Sequence, residues 1–231
     1  MKDEIALRLD RIARLYGRTA ALRGISLRLE AGETLALLGP NGSGKTTLLK
    51  IVAGAIAPSV GTGSIFGLDF RRDRLQLRET VGLLASETYL YEDLTAMENL
   101  RFAAVMSGAK PRAADLREML RLVGLDSNAD DRVRSFSSGM RRRLALGRTL
   151  LLRPRLLLLD EPYNSLDAAG ADLVDRIVRE TADEGRAVVL ATHDAERALQ
   201  LADRVAVLHN GVLQYSGPAA AYRMDHAQFV G

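Results

Sequence analysis

The chain is 231 residues long and contains no cysteine. Disulfides, cysteine-ligated zinc and thiol chemistry are therefore excluded, and a reducing compartment is compatible. It also lacks long hydrophobic runs. Leu150 to Leu152, Leu156 to Leu159 and Val188 to Ala191 are short, far below the roughly 20 apolar residues of a membrane-spanning helix. The start, Met1-Lys2-Asp3-Glu4, has acidic residues where a secretory signal would carry an apolar core. Net charge is only +3, too small to argue for nucleic acid as a partner. There is no internal repeat, low-complexity tract or long linker. What remains is an ordinary globular composition, 47% apolar and 26% charged, with ample material for one core.

The pattern along the chain alternates strand and helix. Alternation in Ile5 to Leu9 and Ile25 to Leu29 reads as half-buried strands near the N-terminus, with Leu15-Tyr16-Gly17 between them. Thr34 to Leu38 is an apolar strand; the helix after it should end near Gly54, before Pro58. Ser64 to Phe66 and Val81 to Leu84 read as further short strands. From about 86 to 147 the character becomes helical. Thr95 with Glu98 suggests a capping box, Pro111 sits in the first turn of a second helix ended by Gly124, and a third helix spans about Gly139 to Leu152. The strand–helix alternation then resumes: strand Leu156 to Leu159, a helix bearing Leu173, Val174, Ile177 and Val178, and strand Ala187 to Ala191. A short helix, strand Arg204 to Leu208 and a hairpin through His209-Asn210-Gly211 complete it. The reading is one α/β unit of two lobes, a core at about 1–85 and 148–231 and a helical insertion at 86–147.

The chemistry concentrates in three stretches. Gly39, Pro40, Asn41, Gly42, Ser43, Gly44, Lys45, Thr46 and Thr47 lie between an apolar strand and a helix, as a phosphate-binding loop requires. Glycines let backbone N–H groups converge on phosphate oxygens, and the helix N-terminus adds its dipole. Lys45 would reach the β- and γ-phosphates and Thr46 would bind Mg²⁺. In the second stretch, the strand Leu156 to Leu159 ends in Asp160 and Glu161. There Asp160 would complete the Mg²⁺ shell through water, and Glu161 would polarise a water in line with the γ-phosphate. The third is Arg134 to Leu144, where Ser137, Ser138 and Gly139 open a helix as a weak anion site. The arginines Arg141, Arg142 and Arg143 that follow read as a solvated or salt-bridged face.

Together these residues resemble the ATP-binding subunits of ABC transporters, in the family's order and over essentially the whole chain. Gly39 to Thr47 is similar to the Walker A loop, Leu156 to Glu161 to the Walker B strand and Ser137 to Arg141 to the family signature. Ser165-Leu166-Asp167 is similar to the D-loop, Thr192-His193-Asp194 to the switch histidine, and Tyr16 to the aromatic that stacks on adenine. The resemblance implies a P-loop NTPase core of the RecA-like kind, with a mostly parallel sheet, an antiparallel β portion near the N-terminus and an inserted α-helical subdomain. It implies ATP and Mg²⁺ as cofactors and a head-to-tail dimer, with a second copy or a related ATPase subunit, in which Ser137 and Gly139 of one subunit meet the γ-phosphate held by the other. His193 would hold that phosphate, and Asp167 would couple the two sites. Transmembrane permease subunits are the implied partners, and the cytoplasmic face of the cell membrane the implied location.

The chain departs from the family pattern at several positions. Ser86 stands where the family has a metal-touching Gln, leaving a water or Glu87 to make up the distance. Phe136, Ser138 and Met140 replace Leu, Gly and Gln in the signature. These changes resemble a subset of small bacterial exporter subunits, for haem, drugs or polysaccharides, and the absence of sequence for a C-terminal regulatory domain after Gly231 fits the same subset. An exporter is the expectation. The alternatives are a soluble ABC ATPase acting on ribosomes or DNA, and a weakly hydrolysing nucleotide sensor.

Overall fold

The computed structural model describes residues 4–226; 1–3, whose acidic start was read above, and 227–231 lie outside the described residues. The chain begins with strands β1 (Ile5–Tyr16), β2 (Thr19–Glu30) and β3 (Thr34–Leu38), then helix α1 (Lys45–Val52). Strands β4 (Val60–Ile65) and β5 (Leu68–Asp69), helix α2 (Arg74–Thr80) and strand β6 (Val81–Leu84) follow. The helical stretch contains α3 (Ala96–Met106), α4 (Ala113–Leu122) and α5 (Ser138–Leu150). Strand β7 (Leu156–Asp160), helix α6 (Ala168–Asp183), strand β8 (Ala187–Thr192) and helix α7 (Ala195–Leu201) come next. The described chain closes with strands β9 (Arg204–His209) and β10 (Val212–Pro218) and helix α8 (Ala219–His226).

Two sheets result. An antiparallel sheet runs β2-β1-β4-β5, and a six-stranded sheet runs β10-β9-β3-β8-β7-β6, parallel except for the β9–β10 hairpin. Strands β3, β7 and β8 are buried along their whole length, which accounts for their unbroken apolar sequences: a parallel strand covered on both faces has no solvent side to alternate with. Alternate residues feed two cores. Leu35, Leu37, Leu156, Leu158 and Val189 pack with β1, β2 and α1, while Ala36, Leu38, Leu157, Leu159 and Leu190 pack with α3, α4, α5, α6 and α7. The helical stretch therefore shares a core with one face of the sheet, and α5 continues past the expected boundary at 147.

Most expected elements are present, with informative differences. The capping box forms: Thr95 Oγ1 accepts from Glu98 N, and Glu98 Oε2 accepts from Thr95 N. The hairpin turn has Asn210 at φ 50° and Gly211 at φ 76°, the two positive angles of a type I′ turn. Pro111 is not in the first turn of α4; it precedes the cap residue Arg112, whose side chain pairs with Asp115. Strand β1 extends seven residues beyond Leu9, to Tyr16, through several register shifts and Arg11 at φ 48°. Helix α2 was not expected; of its residues only Leu77 is buried.

Candidate functional site

The site lies where β3, β6, β7 and β8 end. In an open parallel sheet the loops at the carboxyl ends of the strands converge in one crevice, at the point where strand order reverses. Strand β3 sits between β9 and β8, so the loop leaving it opens on that crevice. Two glycines make the loop fit. A Cβ on Gly39 (φ 144°) would lie 2.1 Å from Leu208 O, and one on Gly44 (φ 109°) would lie 2.7 Å from Ala21 O. The β9–β10 turn braces the loop from behind, with Gly211 N donating to Ser43 O and Arg23 N to Gly211 O.

A cavity of about 270 Å³ is lined by Pro40 to Thr47 of this loop together with Ala21, Ser86 and Glu161. Lys45 Nζ donates to Gly39 O at 2.6 Å and Pro40 O at 3.3 Å, and stands 3.6 Å from Glu161 Oε1. Asp160, almost completely buried, accepts from Thr46 Oγ1 at 2.8 Å and from Ser86 Oγ at 2.9 Å, both on Oδ2. Its Oδ1 is buried without a hydrogen-bond partner. Glu161 has φ 48°, a strained backbone for a residue with a side chain. Its Oε2 accepts from Thr192 Oγ1 at 3.1 Å and from His193 N, and lies 2.9 Å from His193 Nδ1. Its Oε1 has no hydrogen bond beyond the approach of Lys45. Loop lysine, hydroxyl, two carboxylates and histidine thus form one connected set, gathered from positions up to 148 residues apart.

Ser86 Oγ donates to Asp160 Oδ2 at 2.9 Å, which places this hydroxyl beside the carboxylate expected to serve the metal. The triple-arginine reading needs correction. Arg141 pairs with Glu92 and Arg143 bonds Val123 O and Gly124 O, but Arg142 is buried, with 3% of its surface exposed. Helical periodicity carried the signal: Arg142 shares the inward stripe of α5 with Leu146, four residues on, and Leu150. Burial pushes its guanidinium pKa down, while Asp160 and Glu161 oppose the shift.

The other candidates lie outside this crevice. Tyr16 is half exposed at the end of β1, with the Arg14 guanidinium 4.7 Å from its ring centroid; it does not line the loop cavity. Ser137 caps α5, its Oγ accepting from Met140 N, and Ser138 beside it is exposed. Gly139 lets α5 approach the loop before α6: a Cβ there would come within 2.9 Å of Ser165 O. Asp167 caps α6, accepting from Gly170 N at 2.8 Å.

Similarity to known proteins agrees with this geometry. The family model for ABC transporters matches residues 22–164. The sulfate/thiosulfate import ATP-binding protein CysA 2 of Rhizobium meliloti is 38% identical over 97% of this chain and 63% of its own length. The linearmycin resistance ATP-binding protein LnrL of Bacillus subtilis is 34% identical over 89% of this chain and 67% of its own. Among solved structures, the dimeric ATP-binding cassette MJ0796 in a post-hydrolysis state with ADP and Pi superposes with a TM-score of 0.86 at 25% identity. That match covers 92% of this chain and 98% of the other. The chain belongs to the ABC transporter family and has its ATP-binding, P-loop NTPase fold. It spans about two-thirds of the length of the curated relatives it matches.

Proposed function

We propose that this chain binds and hydrolyses ATP and drives a separate membrane permease. The observation that carries the proposal is the connected set Lys45, Thr46, Asp160, Glu161 and His193 around the phosphate loop. Gly39 to Thr47 hold the phosphates through backbone N–H groups, and Lys45 neutralises charge on the β- and γ-phosphates. Glu161 takes the proton from the attacking water as its oxygen bonds to the γ-phosphorus and the bond to ADP breaks. His193 orients that water and phosphate.

The residues fit Mg²⁺. Among the described residues there is no cluster of three or more His, Cys, Asp or Glu arranged for a metal. A magnesium site of this kind needs only one or two carboxylates beside hydroxyl, phosphate and water oxygens. Thr46, Ser86 and the unpartnered oxygen of Asp160 supply such oxygens, and the ion would neutralise charge on the transferring phosphoryl group.

Ser137 and Gly139 do not line the loop cavity. By resemblance to the family, their proposed role is toward the ATP of a second ATPase subunit arranged head to tail, with Asp167 between the two sites and Tyr16 stacking on the base. The permease surface is proposed at Tyr89, Tyr91, Phe102, Val105 and Met106, large apolar side chains left exposed beyond Ser86. No helix among the described residues is long and apolar enough to cross a membrane, so attachment to the cytoplasmic face would run through that surface. Residues 86–147 would be the lobe that carries the motion. The expected exporter direction finds no support in the relatives' names, which include both import and resistance, and the proposal does not extend to direction.

The test is ATP turnover by the wild type against Glu161→Gln. We expect the variant to bind ATP and to lose about a hundredfold or more in kcat. Equal rates would remove Glu161 as the base.

A further inference from the structure

Arg142 makes five hydrogen bonds among the described residues. Nη1 donates to Ala85 O at 2.5 Å and Ser86 O at 3.2 Å. Nη2 donates to Asp160 O at 2.5 Å and Glu161 O at 2.8 Å, and Nε to Pro162 O at 3.4 Å. A guanidinium has five N–H donors in a rigid plane, and each here has its own carbonyl. Every bond goes to backbone, none to a side chain. The carbonyls belong to two segments far apart in sequence, the loop after β6 and the end of β7, which carry the Ser86 hydroxyl and the two carboxylates. Without Arg142 each of these carbonyls would lose a donor, Glu161 O keeping only that of Asn164 N, and Glu161 would keep its strained φ with one restraint fewer.

We propose that Arg142 is the positioning residue of the hydrolytic site. From helix α5 it fixes Ser86, Asp160 and Glu161 relative to one another, and so sets the metal ligands and the base as one unit. Arg148, a turn and a half further along the same helix, provides a contrast. It holds Thr88 O and Tyr89 O, the outer half of the same loop, and none of its bonds reaches β7. The alignment of ligand and base therefore depends on Arg142, and Arg148 serves loop order alone. Lysine does not replace Arg142, because an ammonium donates from a single atom and does not span both segments.

The inference rests on the ATPase reading, and its test separates the two. In Arg142→Lys we expect kcat to fall about tenfold or more, since misplacing a catalytic group by about 1 Å has effects of that order or larger. The Mg²⁺ concentration for half-maximal rate should rise, while metal-free ATP binding changes less than about twofold. Arg148→Lys should keep both kcat and the Mg²⁺ midpoint within about twofold. A folded Arg142→Lys with wild-type kcat and Mg²⁺ dependence overturns the inference, as does an equal change in both variants. Loss of activity from Glu161→Gln would still stand in either case. If Arg142→Lys does not fold, the wild type supplies the test by NMR. A guanidinium Nε–H resonance protected from solvent exchange should shift when Mg²⁺ is added to the nucleotide complex. If no protected resonance shifts, the inference falls.

Discussion

Helices α1 and α5 both open at a small residue, Gly44 and Ser137, and both present free N–H groups and a positive dipole end. Their surroundings differ. Gly44 opens α1 with a left-handed backbone and no side-chain cap, so the N–H groups face the crevice, beside Lys45, Asp160 and Glu161. Ser137 opens α5 and satisfies one of its own amides. Around it lie the exposed Ser138 and the Arg141–Glu92 pair, and neither carboxylate of the reacting set. The first helix start belongs to the set proposed to bind phosphate, hold metal and move a proton. The second is proposed to meet an anion, and lies apart from the groups that would react with it. In the proposed two-subunit form, which follows the family resemblance, the two helix starts would complete one site.

Substitutions at the paired features break this comparison by different amounts. The largest effect is expected at Gly39. Alanine there would drive Cβ to 2.1 Å from a backbone oxygen at φ 144°, and the loop or the β9–β10 turn must shift. We expect destabilisation beyond about 3 kcal/mol and loss of ATP binding, measured by denaturant unfolding and nucleotide titration. Gly139→Ala meets only Ser165 O at 2.9 Å, without a positive φ. About 1–2 kcal/mol is expected, with ATP binding retained and turnover reduced. If both variants lose ATP binding alike, the two helix starts are not divided as described. The smallest effect is at Asp167, where alanine removes the cap of α6 and should cost about 1 kcal/mol in unfolding free energy. A turnover loss much larger than that cost would assign Asp167 its coupling role across the dimer; a loss no larger would leave it a cap.

The legible parts of the molecule are those whose physics is local in sequence. The phosphate loop depends on glycine spacing between a strand and a helix, and β7 and β8 depend on uninterrupted apolar runs, so both could be read directly. Strand β1 could be read only to Leu9, because its register shifts break the two-residue period that marks a strand. Helix α2 buries one residue and leaves Leu75 exposed, so it carries no amphipathic stripe. Arg142 was misread for a different reason. A charge within a charged run suggests solvent, and only the tertiary meeting of α5 with the ends of β6 and β7 supplies five carbonyls to bury it. The Ser86–Asp160 bond likewise joins residues 74 positions apart, and only the meeting of the β6 and β7 ends brings them together.

The central claim is that each ATP needs the phosphate loop of one subunit and the α5 start of another. Complementation tests it most directly. Lys45→Ala disables the loop and leaves α5 intact. Ser137→Asp keeps a good helix cap but sets a negative charge where the γ-phosphate would dock. Each variant alone should be inactive. An equimolar mixture of the two should recover ATP hydrolysis, because a mixed pair contains one site with both halves intact. A mixture as inactive as its components, while both variants remain folded and able to associate, would contradict the claim.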